Sequence, residues 1–304
     1  MSKEGKHHYI PVFYLKQWAG GDKLICEFSK PYDRVKALRK HPDGTAFVHG
    51  LNTIPGVAAS DTQYLEDVFF KFTDNYAAIA LRVLLTDPPW TFLPRIRSAW
   101  SRFIVSLVAR NPESVAKHRA AAESLFKTAL PKLEANYEQF RTANDPETYM
   151  EYARIHSGNV PGRMFARLLQ SVIDSQFSGS RLNAMRWMVL YDPAPKHLLL
   201  TSDRPIVMTN GLDKPNGQLI LPISPRHVFI ATNNIDAENH IRTVWRNKQL
   251  IQQVNERVAL QSRKYVYGYS DAQLSFVSSR LGSAWTADPL ENLLLDVPTQ
   301  PAAE

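Results

Sequence analysis

Residues 61–87, DTQYLEDVFFKFTDNYAAIALRVLLTD, mark the point where the chain turns from extended to helical. Asp61 or Thr62 is placed to cap the start. Tyr64, Leu65, Val68, Phe69, Phe72, Tyr76, Ile79, Val83 and Leu84 recur at three- and four-residue steps, which predicts one helix with one apolar stripe. Asp87-Pro88-Pro89 ends it, because a residue before proline is driven out of the helical region.

The same period continues downstream. A second helix is expected from about Pro94, with Ile96, Trp100, Phe103, Ile104, Leu107 and Val108 inward. Asn111-Pro112-Glu113 starts a third, running to about Phe140: Asn caps it, proline suits its first position, and glutamate meets the positive end of its dipole. Asp145-Pro146-Glu147 repeats that signal for a fourth. Gly158 stops the fourth, and Val160-Pro161 opens a fifth that runs to about Phe177. Five helices are thus expected between residues 61 and 178.

On either side the pattern is short and β-like. Residues 9–15 are apolar and aromatic, with Pro11 against a central-strand role. Gly20-Gly21-Asp22 predicts a hairpin turn leading into a strand at 24–28, and 46–49 is a further short strand. Beyond Gly179, residues 187–191, 197–201, 206–209, 218–223 and 227–232 are strand-like runs parted by Pro, Gly, Asn and Asp. A helix over 239–259, a strand at 265–267 and a helix at about 271–280 complete the pattern. This order predicts an α+β fold: a central five-helix bundle-like region packed with a mainly antiparallel β-sheet from the N-terminal arm and the C-terminal half. The segments are an extended arm and hairpin (1–60), a helical region (61–178), a β-rich region (179–282) and a loose acidic tail (283–304).

The 304 residues suffice for a sizeable core, and 44% hydrophobic with 21% charged residues excludes a disordered chain. No apolar run approaches the ~18 residues of a membrane helix. The start, MSKEGKHHYIPVFYL, has no apolar signal core. Cys26 is the single cysteine, which excludes an internal disulfide and a cysteine-cluster metal site. A soluble, cytoplasmic protein without a membrane partner is therefore expected. The net charge of +7 permits an anionic partner, nucleic acid included. It divides into +4 over 1–60, −3 over 61–90, +5 over 91–141, −1 over 142–180, +6 over 181–268 and −4 over 269–304. The excess positive charge sits in the N-terminal arm, the arginine-bearing helices and the sheet, which hold most of the candidate residues and suggest an electropositive cleft. Arg95, Arg97, Arg102, Arg110, Arg119 and Arg141 make the middle one mostly arginine, the side chain suited to bidentate phosphate contacts.

Four places could carry chemistry. In His7-His8-Tyr9 the adjacent histidines point to opposite faces of an extended chain, so only one of them can enter a given site, as a general acid or base or simply bonded to backbone in the arm. Glu66, Asp67 and Asp74 lie on the first long helix; seven residues put Asp67 and Asp74 on one face, with Glu66 about 80° from Asp74. Such carboxylates suit a divalent cation or an arginine, although polar outer helix faces look alike. Arg110, at a helix end, is an anion clamp or simply a favourable partner of the dipole. Ser202-Asp203-Arg204-Pro205 is a turn between strands that would present a hydroxyl, a carboxylate and a guanidinium. No Walker A, G-x-G-x-x-G, H-E-x-x-H, G-x-S-x-G or kinase motif occurs. Arg110 and His118 are spaced more widely than the arginine–histidine pair of helical HEPN ribonucleases.

The ordered set HHYIPVFYL, LED, ARNP, TSDRP and LPISP resembles the bacterial domain-of-unknown-function family numbered 4238 over roughly residues 7–268. The family's motifs fall on His8, Glu66, Arg110, Ser202-Asp203 and Ser224. Asp74 stands where a second helical glutamate is associated with the family, and Asn111 where a small hydroxyl residue is common. The resemblance implies an α+β fold and no settled activity; occurrence in bacteria and mobile elements suggests a defence or toxin role.

Together these readings predict that His8, Glu66, Arg110 and Asp203 converge in one cleft of a nucleic-acid-directed, nuclease-like effector. His8 is its acid or base, Glu66 and Asp203 hold water or a divalent cation such as Mg or Mn, and Arg110 clamps phosphate. His7, Tyr14, Asp74, Ser202 and Arg204 complete the candidate set. Two alternatives stand beside it. One is a non-catalytic binding or sensor module in which these residues form a structural polar network. The other is a hydrolase or transferase for a small anionic ligand clamped by Arg110 and Arg204.

Overall fold

The computed structural model describes residues 5–57, 59–87 and 91–284. Most of the acidic tail, with Pro88 and Pro89, lies outside them. The fold is α+β. The arm opens with β1 (Lys6–His8), which pairs antiparallel with β4 (Phe47–His49) in a two-stranded ribbon. Residues 9–15 are not extended throughout. After Pro11 they wind into one helical turn, α1 (Val12–Leu15), and bury Tyr14 and Leu15. The hairpin expected at Gly20-Gly21-Asp22 is therefore absent: β2 (Ile25–Ser29) pairs instead with β3 (Lys36–Lys40) and with a strand from the far end of the chain.

A short helix, α2 (Ala59–Thr62), leads into a π-helical segment over Leu65–Phe70 and then α3 (Lys71–Thr86). The π winding takes in an extra residue per turn and so rotates α3 relative to the turn before it. It divides the apolar stripe read from the sequence. Leu65, Phe69, Phe70, Ala77, Leu81 and Leu84 are buried, while Tyr64, Val68, Phe72, Tyr76 and Ile79 are exposed. The remaining helices of this region are α4 (Pro94–Ala109), α5 (Pro112–Phe140), α6 (Tyr149–His156), α7 (Val160–Ile173) and α8 (Gln176–Ala184). Asn111, Thr148, Asn159 and Ser175 each cap a helix by accepting a backbone N–H. Asp145 does not start the fourth helix. Its carboxylate closes a turn by accepting from Thr142. The fifth helix stops at Ile173 rather than Phe177, and Ser175 caps a separate helix that passes through Gly179. Gly158 is at φ +67, and a side chain there would lie 2.4 Å from the Gly56 carbonyl.

In the last third, β5 (Arg186–Tyr191), β6 (Thr201–Ser202), β7 (Val207–Thr209), β8 (Gln218–Ser224) and β9 (His227–Thr232) precede α9 (Ile235–Arg246), α10 (Leu250–Gln261), β10 (Tyr265–Gly268) and α11 (Leu274–Ser278). The helix expected over 239–259 is broken at Lys248, whose φ is 60. The last expected helix starts as a 3₁₀ turn, Asp271–Gln273. Residues 197–200 form no strand: the Leu199 N–H donates to the Pro225 carbonyl and the Leu200 N–H to Asn255 Oδ1. One sheet becomes three among the described residues: the ribbon, a β3-β2-β10-β6 sheet and a β5-β9-β8-β7 sheet. All of their pairings are antiparallel.

One apolar core joins these parts. Tyr14 and Trp18 from the arm, Trp100 and Phe103 from α4, and Leu221, Phe229 and Tyr267 from the sheets pack in a single cluster. No helix among the described residues is long and apolar enough to cross a membrane.

Candidate functional site

The candidate residues fall into two polar groups on either side of the Arg110-Asn111-Pro112-Glu113 junction. The first group gathers Glu66, Asp74 and Arg110. Arg110 is 1% exposed, and its guanidinium meets the Asp74 carboxylate in a fork, Nη1 to Oδ2 at 3.1 Å and Nη2 to Oδ1 at 2.6 Å. It also donates to the Ser106 carbonyl and hydroxyl and lies over the Phe70 ring at 4.7 Å. The charges of Arg110 and Asp74 both act on Glu66, whereas Asp67 is exposed. Glu66 thus lies within reach of the Asp74 charge, eight residues on. One π turn plus one α turn takes about eight residues, the separation of these two positions. Asn52 Nδ2 donates to Glu66 Oε2 at 3.1 Å, and the Asn52 N–H donates to His7 Nδ1 at 2.9 Å. Arg119 holds that loop by donating to the carbonyls of Leu51 and Thr53. Asn52 Oδ1 is buried and accepts nothing from the described residues.

His7 and His8 do take opposite faces. His7 is buried and tied to Asn52, while His8 is half-buried at the ribbon's edge, its Nε2 3.2 Å from the Asp43 carbonyl and its ring against Phe47. Burial lowers the His8 pKa, with the Asp74 charge among the smaller opposing influences. Burial raises that of Glu66.

The second group holds Ser202, Asp203 and Arg204. Asp203 ties its loop to the start of β10: Oδ1 accepts from the Arg263 N–H at 2.9 Å, and Oδ2 from those of Lys264 and Tyr265 at 2.6 and 3.0 Å. Burial pushes its carboxyl up to about 6, against these donors and Arg204. Ser202 Oγ accepts from the Arg204 N–H, and Gln261 Nε2 donates to the carbonyls of Arg204 and Ile206 at 2.6 and 2.7 Å. The backbone that presents Arg204 is therefore held from three directions.

Arg204 lines a cavity of about 250 Å³, together with Tyr9, Glu113, Asp203, Arg263, Lys264 and Tyr265. Its side chain is 6% exposed, and among the described residues one ion-pair contact reaches it, from Nη2 to Glu113 Oε2 at 3.4 Å. Nε and Nη1 are closed to solvent and find no acceptor among the described residues. An unsatisfied buried donor costs about 1–3 kcal/mol, and more when charged. Arg263 Nε reaches the other Glu113 oxygen at 3.2 Å.

The four residues expected in one cleft thus divide. Glu66 and Arg110 share a group with His8 at its margin, and Asp203 belongs to the cavity. Among the described residues no three His, Cys, Asp or Glu side chains gather as a metal site, and both Asp203 oxygens are engaged by backbone N–H groups. Tyr14 is a core tie: its hydroxyl donates to the Pro222 carbonyl at 2.6 Å and accepts from Thr201 Oγ1 at 2.8 Å. Ser224 closes the β8–β9 turn, accepting from the Arg226 and His227 N–H groups. Asn52, Glu113, Arg263 and Lys264 are site residues that the sequence does not single out. Glu113 is legible there only as a helix-start residue, and the Arg263-Lys264 pair only as charge beside a strand.

Fold and site define an α+β protein with a charged cavity, lined by three cations and two carboxylates, at a helix N-terminus. The chain belongs to the family described as protein of unknown function DUF4238, whose profile matches residues 6–272. Comparisons with curated proteins and with solved structures gave no match.

Two outcomes are expected. Asp74→Ala should lower the unfolding free energy by about 2–3 kcal/mol, because it strands the Arg110 cation; Asp74 is itself partly exposed, which keeps the loss below that of a fully buried pair. Arg110→Met in the Asp74→Ala background should restore most of it. Urea melts of both singles and the double decide the point, and additive losses would refute the coupling.

The second outcome concerns pH. A folded-state value near 6 for Asp203, against 3.8 unfolded, means the native state holds that proton more tightly. Its contribution is fully present below about pH 4 and is lost as pH rises through about 6. Stability should therefore fall more steeply between pH 4 and 6 in the wild type than in Asp203→Asn, as read from urea midpoints. Parallel profiles would show the shift is absent.

Proposed function

We propose that the chain binds a phosphate-bearing ligand in the Arg204 cavity. The observation that carries this reading is the guanidinium itself: buried, fixed at its backbone, and with Nε and Nη1 lacking acceptors among the described residues. A phosphate supplies acceptor oxygens in the planar spacing that a guanidinium matches. Arg263 and Lys264 add positive charge to the lining, and Tyr9 and Tyr265 supply aromatic surface for the group attached to the phosphate. This is the small-anion alternative in revised form: Arg204 remains a clamp, whereas Arg110 is already occupied by Asp74. Titration calorimetry with inorganic phosphate, a nucleoside monophosphate and a 5′-phosphorylated oligonucleotide separates a free ligand from a nucleic-acid end. Arg204→Gln is expected to weaken binding at least about tenfold. No binding by the wild type, or equal binding by the variant, sinks the proposal.

A second reading, the nucleic-acid-directed enzyme, is supported by a separate observation. Burial raises the Glu66 carboxyl towards neutral pH, the direction that suits a general acid, and lowers the His8 imidazole, which keeps it in the neutral form that can accept a proton. In that reading Glu66 and His8 act on a nucleic-acid backbone, with a Mg or Mn ion as auxiliary, in a nuclease-like effector of the kind used in phage defence. RNA and DNA incubated with the protein and either metal test it. Cleavage that disappears in both Glu66→Gln and His8→Ala is expected; no cleavage, or cleavage unchanged by either substitution, refutes it.

A further inference from the structure

The Arg204 cavity already contains a carboxylate. Glu113 lies one residue inside the N-terminus of α5, a helix of 29 residues. Its two oxygens face Arg204 Nη2 at 3.4 Å and Arg263 Nε at 3.2 Å, and its own backbone N–H donates to it. These contacts, with the Arg204 and Arg263 charges, hold its carboxyl below the ordinary glutamate value, although burial, the largest single influence, acts the other way. A carboxylate between two guanidiniums at the positive end of a helix stands where an anionic ligand would.

Its hold is loose. Compared with the Arg110–Asp74 fork at 2.6 and 3.1 Å, both Glu113 contacts are long, and each is single. The Glu113 side chain is 38% exposed and that of Arg263 45%, whereas that of Arg204 is 6% exposed. The position of the contact matters as much as its length. A guanidinium offers two bidentate edges, Nε with Nη2 and Nη1 with Nη2. Nη2 belongs to both. A single Glu113 oxygen on Nη2 meets one of its two hydrogens and so half-fills one edge, while Nε and Nη1 are without an acceptor among the described residues. Withdrawal of Glu113 towards solvent would free the edge it half-fills.

We propose that Glu113 is a built-in carboxylate plug of the Arg204 cavity, displaced by the dianionic group of a phosphate monoester. This rests on the reading of the cavity as a phosphate site and adds the ligand's charge class. A monoanion, such as a phosphodiester or carboxylate, only exchanges one negative charge for another on the same cations. A phosphate monoester, with a second pKa near 6, brings close to two negative charges at neutral pH and an additional acceptor oxygen. It therefore gains where a monoanion breaks even. The ligand class is accordingly a phosphate monoester, as a small molecule or as the terminal phosphate of a strand, and not an internal phosphodiester.

Calorimetric titrations of wild type, Glu113→Gln and Arg204→Gln test this. The probes are inorganic phosphate, dimethyl phosphate, and one oligonucleotide carrying either a 5′-phosphate or a 5′-hydroxyl. Glu113→Gln keeps the size of the side chain and removes its charge. It is expected to bind inorganic phosphate about tenfold more tightly and to bind dimethyl phosphate measurably, where the wild type does not. The wild type should prefer the 5′-phosphorylated strand over the 5′-hydroxyl one. Weakened phosphate binding in Glu113→Gln would mean that Glu113 receives a ligand hydroxyl, and overturns the plug. Unchanged binding overturns it too. If Arg204→Gln still abolishes binding in either case, the phosphate site stands without the plug. If neither variant differs from the wild type, both readings fall.

Discussion

The Tyr14 hydroxyl sits inside the core, where an unmade hydrogen bond cannot be replaced by one to water. Its single proton goes to the Pro222 carbonyl of β8, so Thr201 of β6 must be the donor in its other bond. Those strands belong to different sheets. One turn of helix from the N-terminal arm thus fixes the edge strand of one sheet against a strand of the other. Trp18 adds a parallel tie by donating to the Leu199 carbonyl at 2.7 Å. The constraint propagates to the site, since Thr201 is followed directly by Ser202, Asp203 and Arg204. A loop whose start is tied in the core and whose carboxylate grips the 263–265 backbone can hold an incompletely paired cation in place.

The arginines show how one residue type serves opposite ends. The basic block over 91–141 suggests an electropositive face, yet most of its arginines are occupied. Arg97 donates to the carbonyls of Asn183 and Met185, Arg102 meets Asp174, Arg110 meets Asp74, and Arg119 holds the carbonyls of Leu51 and Thr53. Their charge serves to join helices to one another and, through Arg119, to a loop. Arg110 and Arg204 are almost equally buried, and the difference between them lies in their acceptors. A forked carboxylate with a serine completes Arg110, while a single long contact leaves Arg204 incomplete. Burial and charge alone do not separate these two cations; the count of satisfied donors does.

The α+β order, most strands and the long helices are legible in the sequence because period-two and period-3.6 patterns survive in single segments. Three things are not. The π segment leaves no mark in an apolar pattern whose stripe stays continuous, so the face of Tyr64, Phe72 and Tyr76 reads as inward when it is exposed. The break at Lys248 depends on one residue adopting φ 60, without a glycine or proline to announce it. Division of the N-terminal and C-terminal strands into three sheets depends on partners some two hundred residues apart. At the site, motif residues are visible as motifs, but motifs do not say which atoms are satisfied. Asp203 reads as a ligand and is a tie to backbone. Asn52 reads as nothing and lies between His7 and Glu66.

The junction Arg110-Asn111-Pro112-Glu113 links the two polar groups in a way that neither shows alone. Asn111 caps α5 through Ser114 and donates from Nδ2 to the Val108 carbonyl, so it bridges the end of α4 to the start of α5. Pro112 fixes the first helical residue. Arg110 on one side is locked to Asp74 on α3, and Glu113 on the other reaches Arg204 and Arg263. Four consecutive residues therefore carry a rigid ion pair at one end and a loose one at the other, with a capped, proline-stiffened helix start between them. The Glu113 contacts are thus set at the loose end of a junction whose other end is anchored by the Arg110–Asp74 fork.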